Sequence, residues 1–184
     1  MKVILVNGSP HEKGCTYTAL DEVAKTLREE GVEAVHFWIG NQAVRGCIGC
    51  CRCDDLHRCV FDDDKVNEFL KLAGDCDGFV FGSPVHWAAA GGAITSFMDR
   101  AFYAGQRRED MPLLPEACGR RLSARRAGTT ATYDQLNKYF GLMQMPIISS
   151  QYWNMVHGHC PDDVRQDAEG LQTMRTWLET WPSS

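Results

Sequence analysis

Five of the nine cysteines of this 184-residue chain fall within a single stretch of thirteen residues. Four of them share the spacing Cys-x-x-Cys-x-x-Cys-x5-Cys: Cys47, Cys50, Cys53 and Cys59. Two-residue spacers let a short loop wrap so that three sulfurs face one point, and a nearby turn supplies a fourth. Gly46 and Gly49 permit the tight backbone that this wrapping requires. The spacing therefore favours a [4Fe–4S] cluster in a cysteine-rich loop at residues 46–60.

Two other kinds of chemistry stay open for the same cysteines. Zinc more often uses two cysteine pairs separated by a longer stretch, but it also binds sets of four thiolates. The thiols could instead form reversible disulfides, and Cys51 is an extra thiol that none of these geometries requires.

A second candidate site is the loop at residues 8–16, which is rich in glycine and hydroxyl side chains. It precedes an amphipathic segment, and backbone N–H groups at a helix N-terminus bind anions. Ser9, Thr16 and the backbone of Cys15 would donate hydrogen bonds, and His11 would add a positive charge when protonated. The loop is neither a Walker A motif nor Gly-x-Gly-x-x-Gly. The alternative is a capped helix start without a ligand.

A third segment, residues 82–87, has the features of a platform for a flat aromatic ligand. Pro84 constrains the turn, and backbone N–H groups from Val85 to Trp87 could reach ring oxygens and nitrogens. Trp87 offers a stacking surface. The alternative is that Trp87 packs in the core and that His86 is an ordinary surface residue.

The surrounding chain alternates short apolar runs with amphipathic stretches, which predicts five strand–helix units. The predicted strands are 2–6, 32–38, 78–82, 121–128 and 146–150. The predicted helices are 15–30, 66–73, 92–103, 133–141 and 163–179. Residues 105–120 are predicted to be a surface loop. This alternation indicates one α/β domain over residues 1–184, with a parallel sheet whose ligands bind at the carboxyl ends of the strands.

Composition excludes several classes of protein. Hydrophobic residues make up 44% and charged residues 23% of the chain, which are globular values. The formal net charge of −5 argues against nucleic acid as a partner. No apolar run is long enough for a membrane helix, and the four apolar residues near the start are too few for a signal peptide. We therefore expect a cytoplasmic protein.

Together, the motifs Gly-Ser-Pro…Gly-x-Thr and Ser-Pro-Val-x-Trp…Gly…Phe-x-Asp-Arg resemble the flavodoxin-like NAD(P)H-dependent FMN reductase superfamily. The cysteine spacing is similar to its iron–sulfur flavoprotein branch. The resemblance implies a flavodoxin-like three-layer sandwich with a five-stranded parallel sheet. It also implies a set of FMN-binding residues, of which the first four would hold the phosphate and the others the ring: Ser9, His11, Cys15, Thr16, Pro84, Val85, His86, Trp87 and Gly128.

The resemblance further implies an oxidoreductase whose chemistry is centred on the flavin, so no catalytic side chain is expected. Electrons would come from a ferredoxin-type donor through the cluster, and a homo-oligomer, dimer or tetramer, would bring the cluster near a neighbour's flavin. The first alternative is a cluster-free NAD(P)H-dependent FMN or quinone reductase. The second is a non-catalytic zinc or redox-sensing module.

Overall fold

The computed structural model describes residues 1–108, 117–124 and 127–177. Its strands are β1 (Lys2–Asn7), β2 (Glu33–Trp38), β3 (Gly78–His86), β4 (Ala89–Ala90), β5 (Ala117–Ala124) and β6 (Met155–His157). Its helices are α1 (Cys15–Glu29), α2 (Cys53–Leu56), α3 (Val66–Ala73), α4 (Gly92–Gly105), α5 (Thr129–Leu142), α6 (Pro161–Gln166) and α7 (Ala168–Arg175).

Five of the strands form a parallel sheet in the order β2-β1-β3-β5-β6, and β4 adds a short antiparallel pairing to the end of β3. The sheet is covered on both faces, as β1 shows. Val3 and Leu5 belong to one buried cluster, and Ile4 and Val6 belong to the other. This arrangement confirms the predicted flavodoxin-like fold.

Helices form the two outer layers. On one face α1 packs with α6 and α7, and on the other α3, α4 and α5 pack over a group of phenylalanines that includes Phe69, Phe81 and Phe97. The longer helices α1, α3, α4 and α5 each bury one apolar side in the core, which is what makes their packing favourable. In the described part of the chain, no helix has both the length and the apolar character to cross a membrane.

The last strand was predicted in the wrong place. Residues 146–150 contain only an isolated bridge at Ile147, and the last strand is β6, whose Met155 pairs with Leu122. Ile148 is buried in the core without belonging to a strand. The apolar character of residues 146–150 therefore reflects packing rather than pairing in the sheet.

Two other boundaries differ from the predictions. The fourth long strand, β5, begins at Ala117, so residues 117–120 are strand where a loop was predicted, and residues 125–126 lie outside the described residues. The predicted helix 163–179 is two helices that meet at Asp167, whose side chain accepts a hydrogen bond from the Gly170 N–H and begins α7. Residues 178–179 also lie outside the described residues.

Candidate functional site

The loop after β1 is organised by Asn7, whose side chain is almost completely buried at the carboxyl end of the strand. Its Nδ2 donates to the Glu12 carbonyl at 2.9 Å, and its Oδ1 accepts the Ser9 N–H at 3.0 Å. The Ser9 hydroxyl in turn accepts the His11 N–H at 3.1 Å. These bonds shape the loop before any ligand binds. Sequence reasoning missed Asn7, although its position directly after a buried strand was a usable signal.

Helix α1 begins where this loop ends, and no acidic residue occupies its first turn. The first N–H groups of an α-helix have no partner within the helix and carry a partial positive charge. Thr16 is buried there, and its hydroxyl lies 2.8 Å from that of Ser123 in β5. The start of α1 therefore offers hydrogen-bond donors to an anion between β1 and β5.

Two glycines allow the loop and the adjacent elements to approach closely. A Cβ at Gly8 would lie 2.6 Å from the Ile94 Cβ and 2.9 Å from the Gly82 carbonyl oxygen. A Cβ at Gly82 would lie 2.7 Å from the Thr16 Cγ2. These separations are shorter than carbon and oxygen atoms tolerate, so a side chain at either position would push α1 and α4 away from the sheet.

The third loop is a hairpin between β3 and β4. His86 pairs with Ala89, and the two residues between them, Trp87 and Ala88, have φ values of 51° and 59°, as in a type I′ turn. The Trp87 side chain is 101% exposed at the tip of the hairpin. Gly128, with φ 95°, lies behind it, because a Cβ there would be 2.5 Å from the Ala88 Cα.

The two loops border one cleft of about 220 Å³, called here the flavin cleft after the ligand that the sequence predicts for these loops. It is lined by Ser9, Pro10, His11, Cys15, Thr16, Pro84, Val85, His86, Ser123, Ala124, Gly158 and His159. Seven of the nine predicted FMN-binding residues are among them, and Trp87 and Gly128 are not. Sequence reasoning did not assign the wall formed by β5 and the segment after β6. The carboxyl ends of parallel strands meet at one edge of the sheet, so the ends of the last two strands could have been predicted to border the same cleft.

The segment after β6 is fixed by Asp163. Its Oδ2 accepts the N–H groups of His159 at 2.8 Å and Cys160 at 3.1 Å, and these bonds hold the pKa of the Asp163 carboxyl below its usual value. On the opposite wall, burial raises the pKa of the Cys15 thiol, which donates a weak bond to the Gly158 carbonyl at 3.7 Å.

The clustered cysteines form a second site, called here the cysteine pocket, with a volume of about 20 Å³. It is lined by Cys47, Ile48, Cys50, Cys51, Cys53, Cys59, Val60, Phe61, Arg100, Tyr103 and Ala104. All five cysteines are free thiols. Cys53 and Cys59 are buried, whereas the other three are exposed. All four predicted metal ligands therefore border the same pocket.

The two buried cysteines are anchored in different ways. Cys53 begins α2, and its pKa is raised by burial and further by the negative charge of the neighbouring Asp54. Cys59 is bound through its backbone, whose N–H donates to Asn67 Oδ1 at 2.9 Å, and through its sulfur, which accepts a bond from Arg100 Nε at 3.1 Å. Neither Asn67 nor Arg100 was predicted to support the site.

The donor set suits a metal centre, but the sulfurs are not gathered around one point. In residues 1–108, 117–124 and 127–177, no three His, Cys, Asp or Glu side chains are close enough together to hold a metal ion. Residues 47–51 lie outside helices and strands, so Cys47 and Cys50 are positioned only by the loop. Soft thiolates are the ligands that iron–sulfur clusters and zinc prefer, and five cysteines that could supply them border this pocket.

The fold and the flavin cleft define a class of protein. A parallel sheet in this strand order, with a loop and a helix N-terminus following β1, is the flavodoxin-like arrangement, in which ligands bind at the carboxyl ends of the central strands. Residues 1–159 match the family described as NADPH-dependent FMN reductase, and the chain belongs to that family. It is a flavin-dependent oxidoreductase, so the alternative of a non-catalytic module is wrong.

Individual relatives agree with this assignment. The chain is 29% identical to an iron-sulfur flavoprotein of Methanocaldococcus jannaschii over 95% of this chain and 92% of the relative. It is 30% identical to an iron-sulfur flavoprotein of Clostridioides difficile over 55% of this chain and 46% of that protein. Among solved structures, an NAD(P)H:quinone oxidoreductase from Methanothermobacter marburgensis superposes with a TM-score of 0.69 at 16% identity, covering 95% and 92% of the two chains. This structural similarity shows the fold alone.

Proposed function

We propose that this protein binds FMN in the flavin cleft and a [4Fe–4S] cluster in the cysteine pocket, and that it transfers electrons between a protein donor and an acceptor. The observation that carries the proposal is that Cys47, Cys50, Cys53 and Cys59 all line one pocket of a chain that belongs to a flavin reductase family. The two relatives described above are both named iron-sulfur flavoproteins, which supports the proposal.

The residues proposed to hold the FMN phosphate surround the start of α1. Ser9 and Thr16 contribute hydroxyls, Cys15 contributes its backbone N–H, and His11 contributes positive charge when protonated. The buried Ser123 hydroxyl, 2.8 Å from that of Thr16, keeps the Thr16 side chain directed across the cleft. A dianionic phosphate at this position gains both from the hydrogen bonds and from the helix dipole.

The isoalloxazine ring is assigned to the hairpin side of the cleft. Pro84 and Val85 present a constrained backbone there, and His86 is next to them. Trp87 remains in the proposed set because the turn that it forms with Ala88 carries Val85 and His86 into the cleft, and Gly128 remains because it packs against Ala88 of that turn. When bound, FMN supplies two-electron and one-electron chemistry, and the cluster supplies one-electron chemistry. The residues of the chain bind and orient these groups, and none is assigned a catalytic role.

A ferredoxin-type donor and a homo-oligomer, dimer or tetramer, are further parts of the proposal. No residue lines both the flavin cleft and the cysteine pocket among those described, so a neighbouring subunit is the proposed means of bringing the two sites together. Gel filtration at micromolar concentration tests this part. A monomer would contradict it without affecting the two cofactor sites.

The deciding experiment is anaerobic purification followed by a visible spectrum and by analysis of iron and acid-labile sulfide. We expect flavin bands at about 370 and 450 nm, a broad shoulder at about 400–420 nm and about four irons per chain. Flavin bands without iron would reject the cluster and retain the FMN site. A colourless protein that takes up neither cofactor would reject both sites.

A second candidate function is a cluster-free NAD(P)H-dependent FMN or quinone reductase. The observation that favours it is that the exposed sulfurs of Cys47 and Cys50 are not drawn together with the buried pair. This candidate expects steady-state NADPH oxidation with added FMN or quinone, by a protein that contains no iron. The absence of NADPH oxidation at a useful rate would reject it.

A further inference from the structure

One arginine beside the cysteine pocket is buried to a degree that is rare for a charged residue. The Arg100 side chain, in α4, is 1% exposed and forms an ion pair with Asp64, whose side chain is 6% exposed. Buried charges are retained only when they are paired and fully hydrogen-bonded. The arrangement of the remaining donors of Arg100 therefore indicates what the residue does.

All five N–H donors of the Arg100 guanidinium have an acceptor. Nη1 and Nη2 both donate to the Asp64 carboxylate. They also donate to the carbonyl oxygens of Arg45 at 3.3 Å and Phe61 at 3.4 Å. The fifth donor, Nε, is directed at the Cys59 Sγ at 3.1 Å. The Asp64 and backbone contacts thus hold the guanidinium in an orientation that places one N–H and a positive charge against a proposed cluster ligand.

A hydrogen bond to a ligating sulfur, together with a nearby positive charge, stabilises negative charge on a metal–thiolate centre. Reduction of such a centre adds one negative charge. A buried guanidinium acts strongly because little water screens it.

We propose that Arg100 is a positioning residue that acts through Cys59, keeping this sulfur directed into the cysteine pocket and raising the reduction potential of the cluster bound there. The inference rests on the proposed function, because it concerns the same pocket. Asp64 has the opposite electrostatic effect, since its carboxylate offsets the charge of Arg100.

Because Arg100 and Asp64 carry opposite charges, replacing each of them should shift the reduction potential of the cluster in opposite directions. Arg100→Gln removes the charge and the Nε donor, so we expect the cluster to become harder to reduce by about tenfold in the one-electron equilibrium, or about 59 mV. Asp64→Asn keeps a side chain of the same shape and leaves Arg100 uncompensated, so we expect a shift in the opposite direction. Arg100→Lys retains the charge, so its reduction potential should lie between those of Arg100→Gln and the wild-type protein.

Arg45→Gln is the matched control. The guanidinium groups of Arg100 and Arg45 lie 5.2 Å and 4.5 Å from the centre of the Phe61 ring, but Arg45 pairs with Asp63 at the surface. We expect this variant to leave the potential unchanged. The measurement is a spectroelectrochemical titration of the reconstituted holoprotein, accompanied by iron content and thermal unfolding for every variant.

The outcomes separate this inference from the proposed function. A wild-type protein that binds FMN but takes up no cluster overturns this inference and the cluster part of the proposed function, and it retains the FMN site. A wild-type protein with about four irons per chain and an unchanged potential in Arg100→Gln overturns only the role of Arg100. Shifts of the same sign in Arg100→Gln and Asp64→Asn would show a purely structural role and would also overturn it. If Arg100→Gln does not fold, Arg100→Lys and Asp64→Asn decide the question by the same criterion.

Discussion

The flavin cleft and the cysteine pocket are built in different ways from the same chain. The cleft takes its walls from the carboxyl ends of β1, β3, β5 and β6, and parallel pairing aligns these ends at one edge of the sheet. The cysteine pocket takes its walls from a loop, the short helix α2 and one side of α4. The first site is thus a product of the sheet, whereas the second depends on local contacts.

This difference decides how complete each site is before a ligand binds. In the cleft, Ser9 and Thr16 are buried and hydrogen-bonded, as is Asn7, which organises the first loop. In the pocket, only Cys53 and Cys59 are held by a helix or by buried side chains, and the other cysteines are exposed. The comparison indicates that the cleft is preorganised, whereas the sulfurs of the pocket would be gathered only by the proposed metal centre, as is common for thiolate centres.

The largest expected effect is a loss of iron from the cysteine pocket that leaves FMN binding in the cleft unchanged. Cys53→Ser removes a buried thiol that is a proposed cluster ligand, and we expect the iron content to fall from about four atoms per chain to nearly none, while FMN binding is unchanged. Iron analysis and the flavin spectrum of the same sample test this. Cys51→Ser is the matched control and should keep its iron. Loss of the flavin together with the iron would show that the two sites are not independent.

The second prediction alters the cleft and leaves the pocket intact. Gly8→Ala places a Cβ against Ile94 and the Gly82 carbonyl, and overpacking of this kind costs about 1–3 kcal/mol. Part of this cost should appear as a roughly tenfold weaker affinity for FMN, because the loop that carries Ser9 must move. Fluorescence titration with FMN measures the affinity. Gly92→Ala, where a Cβ meets nothing within 4 Å, is the control.

A smaller effect is expected from a single hydroxyl of the cleft. Thr16→Val keeps the shape of the side chain and removes its bond with Ser123, so FMN affinity should fall by about fivefold, or about 1 kcal/mol. Thr26→Val removes a hydroxyl farther along α1, where it bonds only to the Glu22 carbonyl, and serves as the control. Equal losses in the two variants would show that the effect arises from the helix and not from the site.

The smallest predicted effect concerns the pH dependence of stability. The pKa of Asp163 is lowered in the folded protein, so its bonds to the N–H groups of His159 and Cys160 contribute stability above the ordinary Asp pKa of 3.8. This contribution disappears as the pH falls through the lower folded-state pKa. Asp163→Asn should therefore lower the unfolding temperature by at most about 2 °C at pH 6 and by less at pH 3. A difference that grows toward acidic pH would contradict this sign.

Much of the fold and most of the cleft were predictable from local patterns. Three features depend only on neighbours in the sequence: the β-branched run of β1, the helical spacing in α1 and the turn residues near Gly8 and Pro84. Seven of the nine residues predicted to bind FMN line the cleft. The spacing of Cys47, Cys50, Cys53 and Cys59 likewise indicated one pocket. Such features are encoded over a few residues, and for this reason a single sequence reveals them.

Other features were decided by the tertiary structure alone. β6 has only three residues, and its place is set by pairing with β5, so the apolar residues at 146–150 were mistaken for the strand. The bond between Arg100 and Cys59 joins residues 41 positions apart, and the bond between Thr16 and Ser123 joins residues 107 positions apart. A local sequence pattern cannot predict such pairs, because they form only when α4 packs against the cysteine loop and β5 packs against the start of α1. The sequence by itself thus determined which residues could carry the proposed chemistry, and the packing of the sheet and its helices determined which side chains surround them.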